Sequence, residues 1–583
     1  MLHTLTRSLR ENKGPALVTV LLSALEVVFE IVIPLFMSNL IDFGIEGGSM
    51  AAVWKFGAFL LLLAAFQLAT GVLAARIAAR ASVGFAANLR EDMYNNVQTF
   101  AFSNIDKFST ASIITRLTTD TTNVQNAFQM LMRMAIRTPV MLIFSMIVSF
   151  RISRDISMTF LIILPILALA LFFIIRSVFP VFSRVFRTYD ELNNVVQENV
   201  RGIRVVKSFN QERHEIGKFD AISARIYQDF SKGERLITLN APLMQFCIYT
   251  CMIVISWLGA KAIIASGNDP ALGLTTGNLT ALITYTMQIL SSLMMLSMVF
   301  AMLTISLSSA RRIAEVLEER SDIPQPKQPV MTVRDGAVDF DHVSFVYASK
   351  ADKKVLDDID LHIRSGETIG VIGGTGASKS SLVQLIPRLY DVTGGKLTLG
   401  GVDVRDYDLD TLRGAVAMVL QKNELFSGTI KENLRWGNEN ATDEELQHAC
   451  VLACADEFIS AMPDGYDTHI EQGGTNVSGG QKQRLCIARA LLKKPKVLIL
   501  DDSTSAVDTR TDAQIQQALS TYIPDTTKII IAQRISSVQN ADRIVVLDDG
   551  HIDAVGCHDE LLRTCEIYRE VYESQQKGGE DDA

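Results

Sequence analysis

The stretch that decides the fold is "GVIGGTGASKSSLVQLI", Gly370 to Ile386. The aliphatic residues up to Ile372 predict a buried strand, the glycines and serines that follow predict a tight loop, and the apolar spacing after them predicts a helix. Backbone N–H groups in such a loop surround phosphate at the positive end of the helix, while Lys379 neutralises phosphate oxygens and Ser380 can ligate magnesium. The stretch therefore predicts an α/β nucleotide-binding domain.

The loop departs from the pattern G-x-x-x-x-G-K-[ST] at one position. Ser378 stands where the last glycine of such a loop belongs, so a Cβ and a hydroxyl must fit where the backbone closes on phosphate. The predicted phosphate-binding residues are Gly373, Gly374, Thr375, Gly376, Ala377, Ser378, Lys379, Ser380 and Ser381.

A second stretch, "VLILDDSTSAVD" from Val497 to Asp508, contains the acidic residues that such a loop requires. Four aliphatic residues before an acidic pair predict a buried strand that brings Asp501 to the magnesium of the nucleotide. Four residues separate it from the preceding stretch "NVSGGQKQRLCIARALL", Asn476 to Leu492, in which a serine and two glycines open a helix.

Composition indicates that the rest of the chain lies in a membrane. The 583 residues are too many for one core, and 48 % hydrophobic residues, 20 % charged residues and a mean hydropathy of +0.22 are typical of membrane spans. A net charge of -9 and a pI near 5.5 exclude a general nucleic-acid binder, because phosphate contacts need clustered Lys and Arg.

The first half has apolar runs of the length that a bilayer requires, about 20 residues for each helix. Six spans are predicted, near residues 15–41, 55–79, 136–152, 156–179, 241–265 and 276–304. Long polar connectors at 80–133 and 184–239 hold most of the Lys and Arg, which places them and both termini in the cytoplasm. Arg151 and Arg154, in a short outer turn, are a local exception to that rule.

The composition changes after the sixth span, and four segments are predicted. Residues 1–315 form the transmembrane domain, 316–335 a proline-containing linker, 336–575 the nucleotide-binding domain, and 576–583 an acidic tail. The fold class is thus a six-helix all-α transmembrane domain followed by an α/β phosphate-loop domain.

Together these motifs resemble the ATP-binding cassette (ABC) family, over essentially the whole chain. Six spans followed by one cassette resemble an exporter half-transporter, similar to the degenerate-site subunit of the bacterial heterodimeric multidrug exporters. The resemblance implies ATP and Mg²⁺ as cofactors. It also implies that each ATP is bound between the phosphate loop of one cassette and the signature of another.

The resemblance also implies roles for single residues. Tyr347 stacks on adenine, and Gln421 is the Q-loop glutamine, which binds Mg²⁺ with Ser380 and the Walker B carboxylate Asp501. Ser505 to Asp508 form the D-loop. The signature contributed to the partner's site is Ser478, Gly479, Gly480 and Gln481.

Two hydrolytic positions depart from the family pattern. Asp502 stands at the general-base position where Glu is expected, and it is one methylene shorter. Gln533 stands at the position of the switch histidine, so it can donate an amide hydrogen bond but cannot carry positive charge. With Ser378, they predict a site that binds ATP and hydrolyses it weakly or not at all, whereas the signature is intact.

A homodimer would therefore have two impaired sites, so the sequence predicts a heterodimer with a paralogous half-transporter. The predicted function is ATP-driven export of amphipathic compounds such as drugs across the cytoplasmic membrane of a bacterium. The other predicted partners are membrane lipid and an amphipathic small-molecule substrate. A peptide or lipid exporter subunit, and an ATP-gated regulatory subunit without net pumping, remain alternatives with the same motifs.

The first span contains two carboxylates, Glu26 and Glu30, one helical turn apart. Two interpretations are open: they line a water-filled cavity that favours cationic substrates, or they form interhelical hydrogen bonds with groups such as Gln67 or Gln245. In the polar connectors, "FSNIDKFST" and "RVVKSFNQE" are predicted to dock on the cassettes.

Overall fold

The computed structural model describes residues 1–269, 273–347, 354–503 and 506–580. The chain divides into two compact units. Residues 1–98 and 110–319 form the first unit, while residues 99–109 belong to the second unit together with the chain from residue 320 onward. The division at residue 319 falls within the linker predicted for residues 316–335, and the inclusion of 99–109 in the cassette unit is a finding of the structure.

The part of the chain before residue 320 is entirely helical where it is described. Its helices are α1 (Leu2–Arg7), α2 (Lys13–Asn39), α3 (Met50–Gln98), α4 (Phe102–Phe108), α5 (Thr110–Thr115), α6 (Thr121–Met130), α7 (Ile136–Ile152), α8 (Arg154–Arg201), α9 (Ile203–Ser208), α10 (Glu212–Thr238), α11 (Asn240–Ser266) and α12 (Thr276–Glu318). Within the described residues, six helical segments are long and apolar enough to cross a membrane, which confirms the predicted number of spans.

Long helices suit this part of the chain because a membrane supplies no water to satisfy backbone groups, which a helix bonds internally. The core lies where α8, α11 and α12 meet, with Phe160, Ile255 and Ile289 fully buried. Hydroxyl groups in the spans donate to the backbone one turn earlier; Ser149 Oγ, for example, lies 2.7 Å from the carbonyl oxygen of Ser145. Ser149 therefore keeps a partner, whereas the buried hydroxyls of Ser23 and Ser157 have none among the described residues.

The charges of the first span are paired within the transmembrane unit. Arg137 of α7 donates to Glu26 Oε1 at 3.1 Å and to Glu30 Oε2 at 2.7 Å, both on α2. Gln288 of α12 donates to the backbone oxygen of Glu30 at 3.3 Å, and Ser145 of α7 donates to Gln288 Oε1 at 3.3 Å. One polar network therefore joins three helices of this unit.

The second unit contains three sheets. Their strands are β1 (Val338–Phe345), β2 (Leu356–Ile363), β3 (Thr368–Gly373), β4 (Gly394–Leu399), β5 (Val402–Asp403), β6 (Val416–Val419), β7 (Gly428–Thr429), β8 (His469–Ile470), β9 (Val497–Asp501), β10 (Thr527–Ile531), β11 (Arg543–Asp548) and β12 (His551–Gly556). An antiparallel sheet has the order β2-β1-β4-β5, a larger sheet has the order β12-β11-β3-β10-β9-β6, and β7 pairs with β8.

Nine α-helices follow α4 in the described part of the second unit, as the alternation of strands and helical segments predicts. They are α13 (Lys379–Gln384), α14 (Leu409–Ala415), α15 (Ile430–Arg435), α16 (Asp443–Leu452), α17 (Asp456–Ser460), α18 (Gly479–Leu492), α19 (Thr509–Tyr522), α20 (His558–Thr564) and α21 (Glu566–Glu580). The acidic tail expected from residue 576 is helical up to Glu580, because α21 continues to that point.

Parallel pairing places several strand ends together. In the larger sheet β6, β9, β10, β3 and β11 all run parallel, and only β12 is antiparallel to its neighbour. Every residue of β9 and of β10 is buried, as expected for central strands covered on both faces. The carboxyl ends of the parallel strands therefore meet at one edge, which is where ligands bind in such folds.

The helix α4 lies in the second unit and contacts the cassette. Tyr390 donates its hydroxyl to Asp106 Oδ2 at 2.9 Å, and its ring lies 6.1 Å from that of Phe102. Asn104 donates to the backbone oxygen of Arg320 at 3.0 Å. Burial, the hydrogen bond to Asp106 and the charge of that carboxylate raise the pKa of Tyr390, so this phenol stays protonated and keeps its donor at physiological pH.

The paired charges of the first span lead to a stability prediction. Arg137→Met should lower the melting temperature of the detergent-purified chain by about 5 °C or more, because it leaves two carboxylates unpaired among apolar helices. Melting followed by intrinsic fluorescence measures the effect.

Arg151→Met, which removes an exposed arginine of the same helix, is the matched control and should leave the melting temperature unchanged. A triple variant that combines Arg137→Met with Glu26→Gln and Glu30→Gln should recover most of the loss, since it removes the unpaired charges. Equal melting of the unaltered chain and Arg137→Met would show that the pairing is not stabilising.

Candidate nucleotide site

Four parallel strands bring the predicted site residues together. The phosphate loop follows β3, Gln421 lies two residues after β6, Asp501 and Asp502 stand at the end of β9, and Gln533 lies two residues after β10. Because β10 pairs with both β3 and β9, the switch position lies between the loop and the acidic pair. The structure thus brings these residues to one edge of the larger sheet.

The loop leads from β3 into α13 with the expected backbone. A Cβ on Gly373 would lie 2.3 Å from the backbone oxygen of Leu547, so this position has no room for a side chain. Gly376 has φ +87°, the left-handed conformation that glycine adopts at little cost. The loop is thus shaped by its glycines.

Ser378 takes the backbone conformation of the glycine that it replaces. Its φ is +67° and its ψ is +21°, which costs a residue with a Cβ roughly 1 kcal/mol relative to glycine. The departure that the sequence shows is therefore accommodated with local strain, and the start of α13 at Lys379 is preserved.

Lys379 donates to its own loop, from Nζ to the backbone oxygens of Gly373 at 2.8 Å and of Gly374 at 2.9 Å. Burial lowers the pKa of Lys379, and the charges of Asp501 and Asp502 oppose that shift. The ammonium group is therefore held at the loop, where a bound phosphate would compete with the two carbonyl oxygens for it.

Asp501 is 4 % exposed, and burial is the main reason that its pKa is raised. The neighbouring carboxylate of Asp502 raises it further, whereas a hydrogen bond from Ser380 and the charge of Lys379 lower it. A cation bound here would relieve the cost of the buried charge. Asp501 and Ser380 are thus neighbours at the place where the sequence predicts a metal.

The carboxylate of Asp502 accepts hydrogen bonds from two side-chain amides. Its Oδ2 accepts hydrogen bonds from Gln533 Nε2 at 2.8 Å and from Gln421 Nε2 at 3.2 Å. Its backbone N–H donates to the oxygen of Ile531 at 2.9 Å, and its φ is +47°. The sequence predicted the three residues in one site, but not that the two glutamines would share one carboxylate oxygen.

The residues present fit Mg²⁺ carried by a nucleotide. The ion prefers oxygen ligands and is held in nucleotide sites by one or two protein groups together with phosphate and water. Ser380 and Asp501 supply a hydroxyl and a carboxylate next to each other. Gln421 uses its Nε2 to donate to Asp502, so its amide oxygen is the atom that suits a metal.

Tyr347 lies beside the phosphate-loop helix and is 44 % exposed. Its hydroxyl is 2.8 Å from Ser381 Oγ and 3.4 Å from Gln384 Oε1. The ring meets that of Tyr390 edge to face, with centroids 5.1 Å apart. An exposed aromatic ring beside the loop is suited to stack on a base, and its neighbour Tyr390 is the residue that holds α4.

The signature forms the start of α18. Ser478 Oγ accepts from the backbone N–H of Gln481 at 3.3 Å, and Gln481 Oε1 accepts from the N–H of Ser478 at 2.9 Å, which is a capping box. Ser478 and Gly479 are exposed.

The predicted D-loop, Ser505 to Asp508, is described from Ala506 onward, and Ser505 lies outside the described residues. The backbone N–H of Ala506 donates to Gln483 of α18 at 3.1 Å.

The predicted residues Glu26 and Glu30 lie outside the nucleotide site, and two residues with important contacts were not predicted. Glu26 and Glu30 belong to the transmembrane unit, where Arg137, and not Gln67 or Gln245, is their partner. Arg137 was missed although its position at the start of the third predicted span was a signal. Tyr390 was missed because nothing near it in the sequence indicates a contact 284 residues away.

Two family models match the chain. One, described as the ABC transporter transmembrane region, matches residues 16–294, and one described as ABC transporter matches residues 356–505. Each half of the chain is therefore matched separately, in the order that the sequence predicts.

Whole-length relatives agree with these matches. The uncharacterized ABC transporter ATP-binding protein YfiB of Bacillus subtilis is 35 % identical over 558 residues, which cover 96 % of each chain. The uncharacterized ABC transporter ATP-binding protein MT1311 of Mycobacterium tuberculosis is 32 % identical over 580 residues, covering 99 % of this chain and 98 % of that one.

Among solved structures, one described as a bacterial Atm1-family ABC exporter with ATP bound has the same fold, with a TM-score of 0.80. Its identity is 24 %, and the alignment covers 97 % of this chain and 98 % of the other. With six apolar helical segments, a phosphate-loop cassette and these relatives, the chain belongs to the ABC transporter family, as a half-transporter of the exporter fold that binds ATP.

Proposed function

We propose that this chain is the ATP-retaining subunit of a heterodimeric exporter. The proposal rests on the hydrogen bonding of Asp502, whose Oδ2 accepts from the side-chain amides of both Gln421 and Gln533. A general base must reach the water that it activates at about 2.6 to 3.2 Å. A carboxylate that is short by one methylene and bonded to two amides is poorly suited to do so.

The charge of the site supports the same conclusion. Gln533 brings a neutral amide to the switch position, where it cannot offset charge that develops on a transferring phosphate. The groups that bind ATP are present, namely the loop, Lys379 and Asp501. The proposal is therefore a site that holds ATP for long periods and hydrolyses it slowly.

This chain's signature serves the other nucleotide site of the dimer. The start of α18 is exposed at Ser478 and Gly479 and carries the positive end of the helix dipole. We propose that it completes the site of a paralogous subunit that supplies Glu and His at its own hydrolytic positions. Hydrolysis then occurs at one of the two composite sites.

The short helix α9 supports a dimer. Val205 is 60 % exposed and Phe209, which follows the helix, is 70 % exposed. Apolar side chains at the tip of a polar helical hairpin indicate a contact surface. By analogy with α4, which docks on this chain's own cassette, we propose that α9 docks on the cassette of the partner.

The proposed cycle uses this chain's residues as follows. Tyr347 stacks on adenine, and the loop with Lys379 binds phosphates. Mg²⁺, bound with the nucleotide by Ser380, Gln421 and Asp501, would neutralise phosphate charge. Tyr347 contacts Tyr390, which donates to Asp106 of α4. When the nucleotide site closes, these contacts move α4, and the spans then open outward.

We place the chain in the cytoplasmic membrane of a bacterium, with the cassette and both termini on the cytoplasmic side and lipid around the spans. The proposed substrates are amphipathic compounds. One arginine against two glutamates leaves the cluster of Glu26, Glu30 and Arg137 with a net charge of -1, since 1 - 2 = -1. That charge supports a preference for cationic substrates.

The degenerate site can be restored by substitution. The purified full-length chain should hydrolyse ATP slowly, and Asp502→Glu combined with Gln533→His should raise the rate by about 10²-fold or more, since a positioned base contributes that much. Phosphate release in detergent or nanodiscs measures the rate.

Asp502→Asn with Gln533→His is the matched control, because it supplies the histidine without a base, and it should remain slow. Rapid hydrolysis by the unaltered chain, together with transport into vesicles, would contradict the proposed degenerate site.

The signature should control the partner's site. In the complex purified through a tag on this chain, Gly479→Asp should lower ATPase activity about tenfold or more, because a negative side chain at the helix start repels phosphate. A Cβ on Gly479 meets the nearest atom, Ala506 Cβ, at 3.5 Å, so the substitution fits the fold.

Gly479→Ala, which adds no charge, should retain most of the activity. Lys379→Ala, in this chain's own site, should reduce the steady-state rate less than Gly479→Asp does. The reverse order would mean that this chain's own site is the one that turns over.

The two glutamates lead to a substrate prediction. Glu26→Gln with Glu30→Gln should weaken export of cationic compounds and leave export of neutral ones unchanged, because the charge of the cluster changes from -1 to +1. Uptake into inverted vesicles measures it, and equal export of both classes would contradict a role in substrate choice.

A further inference from the structure

The C-terminal helix α21 is fixed to the cassette core by its first turns. Tyr568 is fully buried, and its hydroxyl lies 2.8 Å from His558 Nδ1. Val571 and Tyr572 pack against the same core cluster. Gln575 follows Tyr568 by seven residues, which places the two on one face of the helix. The backbone of α21 at Gln575 is therefore held in a fixed position relative to the cassette core.

Gln575 contacts the switch segment with both ends of its amide. Its Oε1 accepts from the backbone N–H of Ile535 at 2.9 Å, and its Nε2 donates to the backbone oxygen of Gln533 at 2.7 Å. The two bonds hold the backbone on either side of Arg534. The side chain of Gln575, 42 residues later in sequence than Gln533, thus satisfies backbone groups of the switch segment that a strand or helix would otherwise pair.

The rest of the segment is also fixed. Ile535 is 2 % exposed, and Ser537 donates its hydroxyl to Asp512 of α19 at 2.6 Å. Before it, β10 ends at Ile531, within the parallel sheet. Between these supports, the Gln533 side chain extends to Asp502 Oδ2 at 2.8 Å.

We propose that Gln575 is a positioning residue for the switch, and that it slows the release of ATP from this chain's site by holding Gln533 beside Asp502, from where its amide can turn to the γ-phosphate of bound ATP. The inference rests on the proposed function, in which this site retains ATP. The side chain of Gln533 loses rotamer freedom when it binds phosphate, and a backbone that is already fixed lowers the entropic cost of that binding.

The test is the dissociation of a fluorescent nucleotide from the purified full-length chain. Bound mant-ATP is chased with excess ATP in the presence of Mg²⁺, and the same is done with mant-ADP. Gln575→Ala should speed mant-ATP release about 2- to 10-fold, the range expected for a loss of one hydrogen bond. Release of mant-ADP should not change, because ADP has no γ-phosphate.

Gln576→Ala is the matched control. Gln576 is the next residue of α21 and donates to Tyr572 Oη at 2.8 Å, so its loss disturbs the helix surface and not the switch. It should release both nucleotides at the rates of the unaltered chain. Gln575→Glu keeps an acceptor for Ile535 but sets a carboxylate against the backbone oxygen of Gln533, and should release mant-ATP at least as fast as Gln575→Ala.

A double-mutant cycle separates positioning from general destabilisation. If Gln575 acts through Gln533, then Gln575→Ala should have no further effect on mant-ATP release in the background of Gln533→Ala. Equal acceleration of mant-ATP and mant-ADP, or additive effects of the two substitutions, would overturn the inference.

The two proposals fail differently. Rapid ATP turnover by the unaltered chain, measured first, would disprove the ATP-retaining function. Slow turnover combined with mant-ATP release that is unchanged in Gln575→Ala would disprove the positioning role alone.

Discussion

The parallel register of the larger sheet is the constraint on which the nucleotide site depends. Because β3, β6, β9 and β10 run in one direction, four segments that are distant in sequence end at the same edge. The hydrogen-bonded ladder of buried strands fixes the spacing of these ends more rigidly than any contact between the side chains. Small changes in side-chain length, such as one methylene at position 502, therefore change what the site can reach.

Charge and hydrogen bonding within the site distinguish its two adjacent carboxylates, on which the proposed retention of ATP rests. Buried Asp501 has a raised pKa and lies beside Ser380, so binding of a cation is favoured there. Asp502 instead accepts hydrogen bonds from two neutral amide groups, those of Gln421 and Gln533. The two adjacent carboxylates thus have different surroundings.

Sequence reasoning succeeded where short segments contain the whole signal. The loop, the acidic strand and the signature are each continuous, and the spans are long enough to stand out by composition, so fold and site composition could be predicted. What could not be predicted depends on contacts between distant residues. Arg137 pairs with α2 through packing of helices, and Gln575 meets the switch only because α21 folds back over the core. An arginine at the start of a span is a local signal for Arg137, but its partner, like that of Gln575, depends on the packing of distant segments.

The helix α4 has a consequence for the synthesis of the chain. Its residues are made early, yet Tyr390, which holds Asp106, is made 284 residues later. At roughly 5 to 20 residues per second, about 15 to 60 s pass before Tyr390 itself is made, and the rest of the cassette takes longer. During that interval the aromatic Phe102 and the carboxylate of Asp106 have no docking surface on the nascent chain. A chain whose cassette has not yet folded therefore cannot fix this early segment.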